Sequence, residues 1–129
     1  MPRGKVLGSE PFNRWTRPVA VLMGEANYSD AHMFPFAFQH LGLGKLIGTP
    51  VAGTGTAVWW ETLMDPSLVF GIPQVGMRVV PGGGFLENRE LQPDILVEQD
   101  AALRAAGRDN QLEAGVKALL AALPQQDRR

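Results

Sequence analysis

The stretch from Val19 to Leu41 limits what this chain can fold into more than any other. It opens on Val19-Ala20-Val21-Leu22-Met23, an unbroken apolar run ended by Gly24. So short and continuous a run reads as a strand buried on both faces of a parallel sheet. Glu25 to Tyr28 follow as a polar turn. Ser29-Asp30 then opens a segment whose apolar residues Met33, Phe34, Ala37, Phe38 and Leu41 recur on one helical face. Ser29 is a good N-cap residue, and Asp30 suits the positive end of the helix dipole. Pro35 predicts a kink or loosened first turns. Gly42 and Gly44 predict a stop.

The rest of the chain alternates in the same manner. Lys45 to Thr49 reads as a second short strand and Pro50 to Thr56 as a flexible loop with Gly53 and Gly55. Val58-Trp59-Trp60, Leu68-Val69-Phe70 and Met77-Arg78-Val79-Val80 read as further strands, Gly82 to Gly84 as a turn, residues 85–93 as a loop, and Ile95-Leu96-Val97 as a last strand. Near the C-terminus Leu112, Val116, Leu119, Leu120 and Leu123 share one helical face, and Asn110 with Glu113 has capping-box spacing. Pro124 ends that helix. Three regions result: an irregular linker or edge segment (1–17), an α/β body (18–100), and a helical segment with a frayed tail (101–129).

Composition narrows the function classes. At 129 residues, 45% apolar and 19% charged, the chain suits one globular domain. Twelve basic residues against thirteen acidic ones leave no electrostatic footprint for nucleic acid or an anionic membrane. No apolar stretch reaches the roughly 18–20 residues that span a bilayer. The start, MPRGKVLGSE, does not read as a secretory signal. Cysteine is absent, so disulfide and thiol chemistry are excluded. The expectation is a cytoplasmic protein without a cofactor. Glu25, Asp30 and His32 are all metal-ligand types, but their spacing matches no established metal motif.

A serine between a buried strand and a helix has a chemical logic. The strand end holds the hydroxyl at the sheet rim, and the helix start aims free backbone N–H groups at the same place. One such donor to an oxyanion contributes about 3–4 kcal/mol in well-studied enzymes. A serine at a helix start is usually only an N-cap, and the surrounding residues do not form the Gly-x-Ser-x-Gly elbow.

The segment RPVAVLMGEANYSDAHMFP (17–35) resembles the nucleophile region of the tail-specific serine peptidases, most closely the tricorn-like branch. The similarity continues through LGLGKLIGTPVAGTGT (41–56) and LENRELQPDILVEQD (86–100). The resemblance implies a partial crotonase-like layered fold with a mainly parallel sheet and flanking helices. It implies Ser29 as nucleophile, the Asp30 N–H as one oxyanion donor, and Glu87 as the acid that supports the catalytic histidine through a further side chain. It implies a peptide or unfolded protein as substrate, and the larger assemblies of that branch. Another branch carries a lysine base in the loop after the second strand. Residues 52–57 hold no lysine, and Lys45 precedes them.

A serine hydroxyl needs a base to accept its proton, and the chain has only His32 and His40. His32, three residues after Ser29, either shares a helical face with it as base or packs within the helix. His40 reads as a surface residue or a cation at the helix end. The resemblance places the catalytic histidine in an N-terminal remainder of the peptidase, outside this chain. The competing reading is a non-catalytic peptide-binding or assembly module on the same scaffold. Of the adjacent Trp59 and Trp60, one is expected in the core. Asp94 is expected to fix a turn.

Overall fold

A parallel sheet of β1 (Ala20–Met23), β2 (Lys45–Gly48) and β5 (Ile95–Leu96), in the order β1-β2-β5, organises the computed structural model, which describes residues 15–124. The register pairs Val21 with Leu46, Leu22 with Ile47, and Ile47 with Ile95. Helix α1 (Asp30–His40) connects β1 to β2, and α2 (Ala101–Ala105) and α3 (Asn110–Ala122) follow β5. The α/β architecture thus matches the expectation. The expected tail at 125–129, and residues 1–14 of the leading segment, lie outside the described residues.

Side-chain alternation distributes the sheet between two helical layers. On one face Met23 and Leu46 pack with Phe38 of α1, Val51 and Leu91, and Val21 and Phe36 fill the edges. On the other face Leu22 and Ile47 lie against Gly115 of α3, where an added Cβ would stand 3.0 Å from Leu22. The strand buried on both faces is β2, whose Leu46 and Ile47 are fully enclosed, rather than β1. As the edge of the three-stranded sheet, β1 leaves Leu22 42% exposed.

Pro35 does not break α1, and the reason is local. A proline has no N–H for the carbonyl four residues earlier, here that of Ala31. Asn27 supplies the missing donor, its side-chain amide bonding to Ala31 O at 2.8 Å. The helix ends at a Schellman turn, with Leu43 N–H bonded to Phe38 O and Gly42 N–H to Gln39 O.

Strands β3 (Thr56–Thr62) and β4 (Val69–Gly76) form a separate antiparallel hairpin. Neither tryptophan enters the core, contrary to the sequence expectation. Trp59 is 51% and Trp60 68% exposed, because the hairpin pairs with itself and not with the parallel sheet. Met77 to Val80 forms no strand and makes a single bridge, Arg78 to Phe85. The cap of α3 also lies one residue earlier than expected. Asp109 accepts from the N–H groups of Gln111 and Leu112. Asn110 is occupied instead with Glu98 O, Gln99 and the Asp100 N–H. No helix among the described residues is long and apolar enough to cross a membrane.

Candidate active site

The turn between β1 and α1 is clamped before the helix begins. Asn27 accepts the Gly24 N–H through Oδ1 while donating to Ala31 O, so one side chain ties the strand end to the first helical turn. Ser29 sits at the apex with φ 55° and ψ −117°. That conformation mirrors the first central residue of a type II turn and is ordinarily taken by glycine. A non-glycine residue held there costs about 1–3 kcal/mol, and such strain clusters at active sites. Ser29 occupies the N-cap position, yet its side chain makes no capping hydrogen bond. The plain capping role is therefore not what its hydroxyl performs.

The helix start provides the donor that the sequence suggests. The N–H of Ala31 bonds to Tyr28 O, and those of His32 and Met33 bond to Ser29 O. The Asp30 N–H is left without an acceptor among the described residues. It directly follows the Ser29 carbonyl, where an oxyanion donor is wanted. The Asp30 side chain is exposed.

Two close approaches bring the remaining parts to this turn. Residues 51–55 lie against residues 86–91, with Val51 and Leu91 exchanging backbone bonds and the Asn88 N–H bonded to Gly53 O. Gly53 and Gly55 permit the contact, since added Cβ atoms would stand 2.2 Å from Arg89 N and 2.6 Å from Leu86 Cβ. The segment expected to be a flexible loop is thus pinned along its length. Thr54 Oγ1 accepts the Ser29 N–H at 2.8 Å, and the next residue, Gly55, donates its N–H to Glu87 Oε2 at 2.8 Å. Ser29 and Glu87 are therefore anchored to consecutive residues, whose Cα atoms lie about 3.8 Å apart across a trans peptide.

Glu87 is held as a carboxylate. Bonds from the Thr56 hydroxyl and the Gly55 N–H keep its carboxyl below the usual glutamate range, burial opposes them, and the charge of His32 adds to the lowering. An ionised acid suits the support of an imidazolium.

His32 cannot serve Ser29 as base in this geometry. Its ring is fully buried, Nδ1 is engaged with the Thr54 backbone, and Nε2 has no hydrogen-bond partner. His40 is exposed at the far end of α1 with its ring stacked on Phe36. Asp94 pins strand β2 rather than a local turn. Burial raises its carboxyl, but the Leu46 N–H and Lys45 outweigh that and hold it below the usual range. Lys45 is thereby committed to Asp94, away from Ser29. No three-residue cluster that could hold a metal occurs among the described residues.

Sequence reading missed Asn27, Thr54 and Thr56. Their signal was present as polar residues in the turn before α1 and beside the loop glycines, but their partners lie across turns that spacing alone does not reveal. A cleft of about 870 Å³ opens at the carboxyl ends of β1 and β2, bordered by Gly24, Glu25, Thr49, Pro50 and Glu90. Ligands favour that end of a parallel sheet.

These features define a class: an α/β domain with a serine on a strained backbone, an amide that has no acceptor among the described residues, and a hydrogen-bonded carboxylate brought to the turn after its first strand. The model of peptidase family S41 matches residues 3–97, and the chain belongs to that family. It is 29% identical to the tricorn protease of Thermoplasma acidophilum over 92% of this chain and 11% of that protein. It is 28% identical to tricorn protease homolog 1 of Streptomyces coelicolor over 95% of this chain and 12% of that protein. The crystal structure of the tricorn protease superposes with a TM-score of 0.68 at 28% identity, covering 79% of this chain and 10% of that one. Mature CPAF shares the fold, with a TM-score of 0.68 at 24% identity over 91% of this chain. The chain thus spans about a tenth of the length of the tricorn proteases it matches.

Proposed function

We propose that this chain supplies the nucleophile of a serine-type peptidase. The observation that carries the reading is the glycine-like backbone of Ser29 beside the Asp30 N–H, which has no acceptor among the described residues. In this mechanism the Ser29 hydroxyl attacks the scissile carbonyl and passes its proton to an imidazole. The oxyanion receives the Asp30 N–H, and the amine leaves with the proton from the imidazole. Water then attacks the ester, the same imidazole takes the proton of the water, and that proton returns to the Ser29 oxygen as the acid product leaves. Glu87 supports that imidazole through a further side chain. Because neither His32 nor His40 is placed for the task, the imidazole comes from polypeptide outside these 129 residues. The substrate is a peptide or unfolded chain.

Exposure of the chain to a fluorophosphonate, with free imidazole as surrogate base, tests this reading. Intact-mass and peptide analysis should find one phosphonyl adduct, on Ser29, at a rate that rises with imidazole concentration. Ser29→Ala should remove it. A wild-type chain that stays unmodified at every imidazole concentration would refute the nucleophile assignment. It would favour the non-catalytic peptide-binding or assembly module instead.

A further inference from the structure

We infer that Thr54, itself fixed by His32, is the positioning residue that holds the nucleophile turn and the glutamate loop in register; the inference rests on the reading of Ser29 and Glu87 given above. Thr54 is in contact with both halves of the site. Its hydroxyl oxygen accepts the Ser29 N–H at 2.8 Å, and its peptide leads into the Gly55 N–H that binds Glu87. An acceptor on the N–H of the residue in the strained conformation is placed to hold that peptide plane, and with it the direction of the Ser29 side chain and of the following Asp30 N–H.

What fixes Thr54 is His32, from within α1. Nδ1 lies 3.2 Å from Thr54 O and 3.3 Å from Thr54 N, so with or without a proton on Nδ1 the ring bonds one of the two. With a proton on Nδ1 it donates to the carbonyl; without one it accepts the N–H. The other nitrogen is an independent indication. Nε2 is buried without a partner, and buried polar atoms are rarely left so. An apolar side chain would fill the same space without that cost. The ring is explained by the nitrogen that faces Thr54, and the geometry makes it a brace rather than a base.

The test uses Thr54→Val, which is close in shape but lacks the acceptor, and Thr54→Ser, which restores it. Phosphonylation of Ser29 in the presence of imidazole is separated into probe affinity and maximal rate. Thr54→Val should lower the maximal rate about tenfold, the size of effect one hydrogen bond commands. Probe affinity should stay within about twofold, and Thr54→Ser should recover most of the rate. A purely structural role would lower the melting temperature without this split. Equal rates for Thr54→Val and wild type, or a Thr54→Ser variant as slow as Thr54→Val, would overturn the inference.

A second readout does not depend on reactivity. The Ser29 amide should exchange with deuterium about tenfold faster in Thr54→Val, with amides of β2 unchanged. If the wild-type chain is never phosphonylated but this exchange difference is found, the peptidase reading fails and the structural tie stands. If the exchange is unchanged, the tie itself is wrong.

Discussion

Replacing Ser29 by glycine should make this protein more stable while removing the hydroxyl proposed as the nucleophile. The backbone at Ser29, φ 55° and ψ −117°, is one that glycine adopts freely and other residues adopt under strain. Releasing that strain is worth about 1–3 kcal/mol. The opposing loss, the greater freedom of glycine in the unfolded chain, is about 0.5–1 kcal/mol. Capping adds little to the loss, because the Ser29 side chain makes no capping hydrogen bond, and serine-to-glycine at an N-cap costs only a few tenths of a kcal/mol. The balance favours Ser29→Gly by about 1 kcal/mol. For a domain of this size that is about 4 °C in Tm.

The informative control is Ser29→Ala. Alanine removes the hydroxyl but keeps the Cβ that causes the strain, so its stability should stay within about 0.5 kcal/mol of wild type. Urea unfolding followed by far-UV circular dichroism, with a common m-value, measures all three proteins. If glycine is no more stable than alanine, the turn is not strained in solution, and the case for Ser29 as a presented nucleophile loses its main physical support.

Two further outcomes follow from the hydrogen bonds around the turn. Asn27→Ala leaves both the Gly24 N–H and the Ala31 carbonyl unserved. It should cost about 1–2 kcal/mol in urea unfolding; a neutral result would show that water replaces the clamp. Glu87 titrates lower in the folded chain than in the unfolded one, with hydrogen bonds from Thr56 and Gly55 as the leading causes. Its stabilisation is therefore complete above the unfolded glutamate value of about 4.3 and is lost as pH falls through the lower, folded value. The stability gap between wild type and Glu87→Gln should be widest near neutrality and should close on acidification below about pH 4; a gap independent of pH would refute the assignment. Asp94 shifts in the same direction, which is why the difference between the two proteins, not the wild-type curve alone, is the readout.

Much of the architecture was legible because it is locally encoded. The apolar run at 19–23, the helical spacing after Ser29 and the apolar centre of 45–49 lie in β1, α1 and β2. Spacing does not reveal which strand is central, and β2 rather than β1 proved to be the one enclosed on both faces. Trp59 and Trp60 look like core residues in isolation, but their hairpin has no second layer among the described residues. Asn110 looks like a cap until residues 98–100 are seen to claim its side chain. The candidate site divides in the same way. Ser29 and Asp30 were readable from a strand-to-helix junction. Glu87 was readable only by family resemblance, since nothing local distinguishes a loop glutamate. Thr54 and His32 were unreadable as a pair because their contact spans 22 residues and depends on how the 50–56 segment is folded back.

The division of labour in this site follows from where its bonds begin and end. The strain at Ser29 is maintained by Asn27 inside the turn and by Thr54 across it. Both are anchored on α1, which packs through Phe38 onto the sheet face formed by Met23 and Leu46. Glu87 reaches the same place through Gly55 and Thr56. Among the described residues, these ties run within residues 23–91. An imidazole arriving from other polypeptide would meet a preformed arrangement, and its contribution would be proton transfer rather than assembly. In the proposed mechanism this would separate the two costs of nucleophilic catalysis: the core that encloses β2 would bear the backbone strain, and the incoming base would bear the proton.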